Sequence, residues 1–225
     1  MLYLVPTPIG NMEDMTYRGV AVLQKVDLIL AEDTRTSKHL FDKYEISTRV
    51  ISFHTHNEHS KLAGLIRDLE SGMEIALISD AGTPGISDPG FLIVREAVKQ
   101  NIPITCLPGA TALVPAIVMS GIPCDRFHFE GFLPQKKGKK TRLEYLLSLP
   151  NPFILYESPF RVVKTLKRIK DMTGDDERQV SVCREISKIH EESIRGQLST
   201  VIGILEQRTN IKGEIVIVIS GNISK

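Results

Sequence analysis

The alternation of short apolar runs with amphipathic stretches constrains the fold of this 225-residue chain most strongly. Continuously apolar or β-branched runs, typical of strands covered on both faces, occur at 2–5, 28–31, 50–53, 75–79 and 104–107. Stretches with helical spacing separate them, at 16–26, 37–44, 60–71 and 91–100. Such alternation predicts a parallel sheet with right-handed crossovers.

The second half of the chain has a different pattern. Strands are predicted at 127–132, 153–156, 180–184, 193–198 and 215–220, and helices at 139–149, 160–172 and 200–207. Two strands in succession between residues 180 and 198 predict a mixed or antiparallel sheet. Gly and Pro interrupt the pattern near 121–125. We therefore predict two α/β domains, residues 1–121 with a mostly parallel sheet and residues 122–225 with a mixed sheet.

Turn-forming and polar residues follow four predicted strands of the first half, at 6–11, 32–35, 80–90 and 108–112. Because the carboxyl ends of parallel strands meet at one edge, where open α/β sheets bind ligands, we expect a binding cleft there. The alternative is a set of elaborate connections without a ligand. Segment 80–90 carries three glycines and two prolines, which let the backbone approach a ligand closely. Ser87 or Asp88 is expected to cap a helix beginning at Pro89.

Missing motifs narrow the choice of ligand. The sequence has no GxGxxG dinucleotide fingerprint and no GxxxxGK[ST] P-loop, which disfavours Rossmann dehydrogenases and P-loop NTPases. His54 and His56 would share one face of a strand and bring two imidazoles together. No cysteine or carboxylate set with metal-ligand spacing accompanies them, so we predict no metal site and interpret the segment as a substrate-facing polar loop.

The cysteines and the amino terminus bear on the cellular compartment. Cys106, Cys124 and Cys183 lie far apart, which predicts neither a disulfide framework nor a zinc site. Cys106 and Cys183 are interpreted as small apolar residues of buried strands. The first apolar run has no preceding positive region and turns at Pro6 and Pro8, so it predicts a strand rather than a signal peptide. A reducing, cytoplasmic location is expected.

Nine segments, in order along the whole chain, carry a resemblance to a known family. They are LYLVPTPIGN (2–11), AEDTR (31–35), SFHTHNE (52–58), LISDAGTPGISDPG (77–90), PGATA (108–112), FEGFLP (129–134), YESPFR (156–161), REISKIHEE (184–192) and KGEIVIVI (212–219). The chain resembles the tetrapyrrole-methylase-like (class III) methyltransferases, and within them the branch that 2'-O-methylates a decoding-region cytidine of 16S ribosomal RNA. The resemblance implies S-adenosyl-L-methionine bound in a cleft between two domains, a homodimer, and 16S rRNA in the small ribosomal subunit as partner.

Carried over by position, the resemblance implies a set of cofactor contacts. They are Ile9, Gly82, Thr83, Pro84, Ile86, Thr111, Ala112, Tyr156, Arg184 and Gly213. One departure bears on the substrate: the porphyrin-modifying branch has GxGxG after its first strand, where this chain has PTPIG at 6–10. That departure favours RNA over the alternative, C-methylation of a tetrapyrrole precursor. A second alternative, a non-catalytic S-adenosylmethionine sensor, is disfavoured by the polar segments at 31–35 and 54–58.

Methylation of a ribose 2'-hydroxyl calls for a general base, because the hydroxyl is a weak nucleophile. The catalytic candidates are Asp33, Glu32 and Asp80, with His54 and His56 as further groups. Asp88 is interpreted as a helix cap. For Asp33, pairing with Arg35 or capping the helix after Thr34 is weighed equally with catalysis.

RNA binding requires local positive charge, since the formal net charge is only +1. The candidate substrate contacts are Arg35, His54, His56, Lys136, Lys137, Lys139 and Lys140. A second basic run lies at 161–170. Solvated surface is the usual explanation of lysine runs, and only the resemblance favours RNA for the 134–142 loop. Phe127, Phe129 and Phe132 are interpreted as core residues rather than stacking groups, and the charged cluster at 184–192 as solvated salt bridges.

Overall fold

The computed structural model describes residues 1–135 and 137–222, and its chain divides into two compact units, Met1–Thr111 and Ala112–Lys225. The strands of the first unit are β1 (Leu2–Leu4), β2 (Leu28–Ala31), β3 (Val50–Ser52), β4 (Ile75–Ile78) and β5 (Ile104–Cys106). They pair in parallel in the order β3-β2-β4-β1-β5. The intervening helices are a short 3₁₀ helix (Met12–Asp14), α1 (Tyr17–Lys25), α2 (Thr34–Lys43), α3 (Glu58–Glu70) and α4 (Phe91–Lys99). The predicted parallel sheet is confirmed.

Alternation along each strand explains why the central strands are apolar throughout. Leu28 and Leu30 of β2 belong to a cluster with side chains of α3 and α4, whereas Ile29 and Ala31 belong to a second cluster with α1 and α2. All four residues are buried, because helices cover both faces of the sheet. Burial of each larger apolar side chain contributes roughly 1.5–3 kcal/mol.

The strand order places a topological switch point between β1 and β4, which are neighbours in the sheet. The chain leaves β1 toward β2 on one side, and it leaves β4 toward β5 on the other. Crevices at the carboxyl ends of strands form at such points in open α/β sheets. The loops after β1 and β4 therefore flank the natural binding position of this unit.

The second unit contains a mixed sheet built from β6 (His128–Phe132), β7 (Phe153–Glu157), β8 (Gln179–Arg184), β9 (Glu192–Gln197) and β10 (Ile215–Ile219). The order is β6-β7-β10-β8-β9, with β6 and β7 parallel and the other pairs antiparallel. Its helices are α5 (Leu113–Met119), α6 (Lys139–Ser148), α7 (Val162–Thr173) and α8 (Leu198–Glu206). Apolar side chains of α6, α7 and α8 form one core with the sheet. The predicted mixed sheet is confirmed.

Helix α5 is the main element that the sequence pattern did not predict. Its single proline, Pro115, lies in the first turn, where a missing N–H is tolerated. The helix contacts β10, and the Cys183 thiol of β8 lies 3.9 Å from the Ala116 carbonyl oxygen. The division after Thr111 therefore precedes the boundary predicted between residues 121 and 122.

Three further differences concern local structure. Helix α4 begins at Phe91 with Gly90 as its N-cap residue, so the expectation that Ser87 or Asp88 caps a helix from Pro89 is wrong. Cys106 is exposed rather than buried, because β5 is an edge strand and Cys106 is its last residue, whereas Cys183 is buried as predicted. Among the described residues, none of the helices has the length and apolar character needed to cross a membrane.

Candidate active site

Three loops of the first unit are tied together at the switch point. The backbones of Thr7 and Gly82 exchange two hydrogen bonds, each 2.9 Å long, which join the loops after β1 and β4. The Thr83 hydroxyl donates to the Ala110 carbonyl oxygen over 3.1 Å, which joins the loop after β5. The three Gly- and Pro-rich segments expected to converge do so.

The loops approach each other so closely that side chains are excluded at their contact. A Cβ atom at Gly109 would lie 2.6 Å from Cβ of Pro6, so the backbone there requires glycine. At Gly82 a Cβ atom would be in ordinary contact with Ile9, 3.5 Å from its Cγ2, and it is the φ of +86° that favours glycine there. Ile9, Gly82 and Thr83 are thus brought together in one cradle of backbone and small side chains.

The remaining predicted cofactor residues of this region have varied surroundings. Pro84 is buried, Ile86 is exposed, and Thr111 is half-buried at the end of the first unit. Ala112 is the first residue of the second unit and precedes α5 as its N-cap residue. Their roles stay predictions.

Carboxylates from two neighbouring strands meet beside this cradle. The Asp33 N–H, just after β2, donates to Oδ1 of Asp80, just after β4, over 3.1 Å. Burial raises the pKa of Glu32, and the charge of Asp80 raises it further. Burial also raises the pKa of Asp80. Burial and the charges of Glu32 and Asp80 raise the pKa of Asp88 to about 6. Asp88 therefore lies near these carboxylates and does not cap a helix.

Asp33 differs from its neighbours because both oxygens of its carboxylate accept hydrogen bonds from Arg35. It is the N-cap residue of α2, and Oδ1 accepts the Arg35 N–H over 2.8 Å. The Arg35 guanidinium donates to both carboxylate oxygens, over 3.0 and 2.6 Å. These hydrogen bonds hold the pKa of Asp33 far below its usual range. Both non-catalytic interpretations of Asp33 are thus present in the structure.

The two histidines lie in the turn after β3 rather than on a strand. Their rings are nonetheless close, with centroids 5.9 Å apart in an edge-to-face arrangement. The His54 N–H donates to Oδ1 of Asn57 over 2.9 Å, while its ring Nδ1 is buried without a hydrogen-bond partner in the described parts of the chain. The imidazole of His54 lies close enough to Glu32 to interact with it electrostatically, which places it near the carboxylates. Within those same parts, no group of His, Cys, Asp and Glu residues is arranged to hold a metal ion.

An open pocket of about 170 Å³ lies beside Asp80 in the first unit. Its walls are Thr7, Pro8, Gly10 and Met12 from the loop after β1, Thr36, Ser37, His39 and Leu40 from α2, and Ser79 and Asp80 from the end of β4. The sequence does not distinguish the α2 residues as part of a site, because their spacing is that of an ordinary amphipathic helix.

In the second unit, three predicted cofactor residues lie where neighbouring inner strands end or begin. Ile215, the first residue of β10, pairs in register with Glu157 and Arg184, the last residues of β7 and β8. Tyr156, Arg184 and Gly213 therefore lie at the same end of these strands. Arg184 is engaged there: Nε donates to Oε2 of Glu192 over 3.2 Å, and Nη1 lies 3.3 Å from the Lys212 carbonyl oxygen.

Gly213 is constrained by its backbone and by a neighbour. Its φ is +92°, and a Cβ atom there would overlap the Glu185 side chain. Oε1 of Glu185 accepts the Glu214 N–H over 2.9 Å and the Lys188 ammonium over 3.0 Å. Glu185 itself has a φ of 53°, a conformation that stores strain. The salt bridges expected in the 184–192 cluster are present.

The basic residues proposed for RNA contact fall into two classes. Lys137 and Lys140 are exposed, and Lys140 lies 3.8 Å from Glu144. Lys139 has only 16% of its side chain exposed, and its ammonium donates to the Thr165 hydroxyl over 3.1 Å beside Glu157. That position suits an internal ion pair better than a phosphate contact. Lys136 lies outside the described residues.

Comparison with known proteins places this geometry in a family. The profile of the Tetrapyrrole (Corrin/Porphyrin) Methylases matches residues 1–202. A solved diphthine synthase covers 97% of this chain and 89% of its own, with a TM-score of 0.75 and 12% identity. Uroporphyrin-III C-methyltransferase from Thermus thermophilus, solved with S-adenosylhomocysteine, covers 96% of each chain with a TM-score of 0.65 and 16% identity.

Closer relatives match by sequence along almost the whole chain. The Ribosomal RNA small subunit methyltransferase I of Halalkalibacterium halodurans is 44% identical over 225 residues, all of this chain and 77% of the relative. The proteins of that name from Bacillus subtilis and Synechocystis are each 47% identical, over 99% and 98% of this chain and 75% and 79% of theirs. The chain therefore belongs to the tetrapyrrole (corrin/porphyrin) methylase family, together with these small-subunit methyltransferase I relatives.

Proposed function

We propose that this chain transfers a methyl group from S-adenosylmethionine to the 2'-hydroxyl of a decoding-region cytidine in 16S ribosomal RNA. The observation that carries the proposal is the 44–47% identity, along nearly the full chain, to proteins named Ribosomal RNA small subunit methyltransferase I. The solved tetrapyrrole methylases are only 16% identical, so they support the fold and not the substrate. A cytoplasmic location and a homodimer belong to the same proposal.

The cradle at the switch point fits the proposed cofactor. Ile9 offers an apolar contact and Thr83 a backbone N–H group, whereas the Gly82 N–H is already donated to the Thr7 carbonyl oxygen. The excluded side chain at Gly109 keeps the loop backbones close together. When bound, S-adenosylmethionine supplies an electrophilic methyl group for an in-line displacement. Pro84, Ile86 and Thr111 are further proposed contacts in the first unit. The contributions of Ala112, Tyr156, Arg184 and Gly213 stay predictions.

Among the carboxylates, Asp80 is the proposed general base. Asp33 is unsuited, because its ion pair with Arg35 holds its pKa too low for it to accept a proton readily. Asp80 lies in the pocket wall, and its pKa is raised by burial. Oδ1 of Asp80 accepts the Asp33 N–H, which leaves Oδ2 to receive the proton of the ribose hydroxyl. Glu32 and Asp88 are its negatively charged neighbours.

The test uses labelled S-adenosylmethionine and small ribosomal subunits from a strain that lacks the enzyme. We expect label on the 2'-oxygen of one decoding-region cytidine and no label with a Thr83→Arg variant, whose side chain would fill the cradle. Label on a base, or tight cofactor binding without transfer to RNA, would contradict the proposal. In the latter case, transfer to a tetrapyrrole precursor is the measurement to make next.

A further inference from the structure

Two aromatic side chains are exposed at the same edge of the second sheet. Phe132 ends β6 and Phe160 lies in the turn after β7, and these two strands are parallel neighbours. Phe160 is 90% exposed and Phe132 is 57% exposed. We call these two residues the aromatic edge. Phe132 was predicted to be a core residue, and the structure corrects that prediction because the residue lies at the open end of an outer strand.

The Phe132 ring and the backbone that carries Phe160 are both held in place, although both side chains face solvent. The Phe132 ring packs edge-to-face against Tyr156, with centroids 5.6 Å apart, and Phe129 supports Tyr156 from 5.1 Å. The turn carrying Phe160 is fixed because Ser158 accepts three backbone N–H groups, one through Oγ from Phe160 itself and two through its carbonyl oxygen. An exposed aromatic pair on an ordered backbone is typical of a binding surface.

Uncompensated positive charge flanks the aromatic edge. Lys137 follows β6 and Lys164 lies in the first turn of α7, one helical turn beyond Phe160. Neither forms an ion pair with a residue that the structure describes, unlike Lys139 and Arg161, which share Glu157. Burial lowers the pKa of Lys139, and nearby positive charges, that of Lys164 among them, lower it further. Free cations beside exposed rings match a ligand that has both phosphates and π faces.

We propose that the aromatic edge binds single-stranded RNA, with bases stacked on Phe132 and Phe160 and phosphates held by Lys137 and Lys164. The inference rests on the proposed function, because it assigns a part of the RNA substrate to these residues. Single-stranded RNA fits better than a duplex, since only unpaired bases can offer their faces to an aromatic ring.

The test measures equilibrium binding of the full chain to a fluorescent single-stranded RNA with the decoding-region sequence, at several salt concentrations. We expect Phe160→Ala and Phe132→Leu each to raise Kd about tenfold, and Phe160→Trp to preserve binding. Replacing Lys137 and Lys164 together by Gln should lower the magnitude of the slope of log K against log salt by about 1.4, because a single strand contributes about 0.7 for each phosphate contact. Tyr17→Ala is the matched control, because Tyr17 is 98% exposed on α1 and should leave Kd unchanged.

The outcomes separate this inference from the proposed function. Wild-type protein that methylates small subunits, together with unchanged Kd in the Phe160 and Phe132 variants, would overturn the aromatic edge and leave the function intact. Equal affinity for duplex and single-stranded RNA would also overturn it. So would a Phe160→Ala variant that has a changed molar mass in light scattering but the same RNA affinity, because Phe160 would then serve an interface between protein chains. A wild-type protein that stacks on the RNA oligonucleotide but methylates no RNA would contradict the proposed function instead.

Discussion

The backbone N–H of Asp33 donates to Oδ1 of Asp80, and this single hydrogen bond joins residues that are 47 positions apart in the sequence. It connects the ends of two neighbouring strands and orients one carboxylate by means of another residue's backbone. The side chain of Asp33 turns the other way, toward Arg35. The backbone and the side chain of Asp33 thus have separate partners in the structure, and only the backbone orients Asp80.

This separation predicts opposite results for two similar substitutions. Asp80→Asn should lower kcat by about 100-fold or more, because the proposed proton acceptor is lost. Asp33→Asn should retain most activity, because asparagine is an equally good N-cap residue and the backbone N–H remains. Single-turnover methyl transfer with saturating cofactor measures both. Equal losses in the two variants would remove Asp80 from its proposed role.

Asp88 provides a test through the pH dependence of stability. Its pKa is raised to about 6 by burial and by the charges of Glu32 and Asp80, so the folded state holds the proton more tightly than the unfolded state. Its contribution to stability is therefore full at pH below about 4 and is lost as pH rises through about 6. We expect Asp88→Asn to be more stable than wild type at pH 7.5 and to lose that advantage near pH 4, in urea unfolding at both values. A constant difference would contradict the assignment.

Gly213 tests the strained corner of the second sheet. Gly213→Ala should destabilise the protein by about 1–3 kcal/mol, since it combines a positive φ with overlap on Glu185. A double variant with Glu185→Ala should recover only the part that is due to overlap. Gly203→Ala is the control: nothing lies within 4 Å of its Cβ position in helix α8, and it should stabilise by roughly 0.5–1 kcal/mol. Urea unfolding measures all three, and equal effects at the two glycines would refute the argument.

Glu157 is expected to contribute more to stability than any surface ion pair. It is buried, and although burial opposes ionisation, hydrogen bonds from Thr165, Ser158 and Arg161 lower its pKa. Glu157→Ala should cost about 3–5 kcal/mol because it leaves buried partners unmatched. Glu144→Ala, which removes an exposed pair with Lys140, should cost no more than about 1 kcal/mol. Comparable losses of stability in thermal unfolding would show that the buried network contributes no more than an exposed ion pair.

The sequence predicted the strands well because their apolar character is local information. Both sheets and the convergence of the loops after β1, β4 and β5 followed from it. Features that depend on distant contacts escaped prediction. Because α5 packs on β10, the compact units divide after Thr111 rather than after residue 121. Asp88 lies near Glu32 and Asp80 instead of capping a helix. The 134–142 run likewise gave no sign that Lys139 turns inward to Glu157.

The central position of β10 has a consequence for synthesis. The first unit is one continuous segment, and all its strands have left the ribosome once residue 106 is outside. The second sheet cannot close in the same way, because its middle strand, hydrogen-bonded to both β7 and β8, is translated after all the others. Nascent chains should therefore carry a finished first unit and two unjoined halves of the second, β6-β7 and β8-β9, until residue 219 emerges.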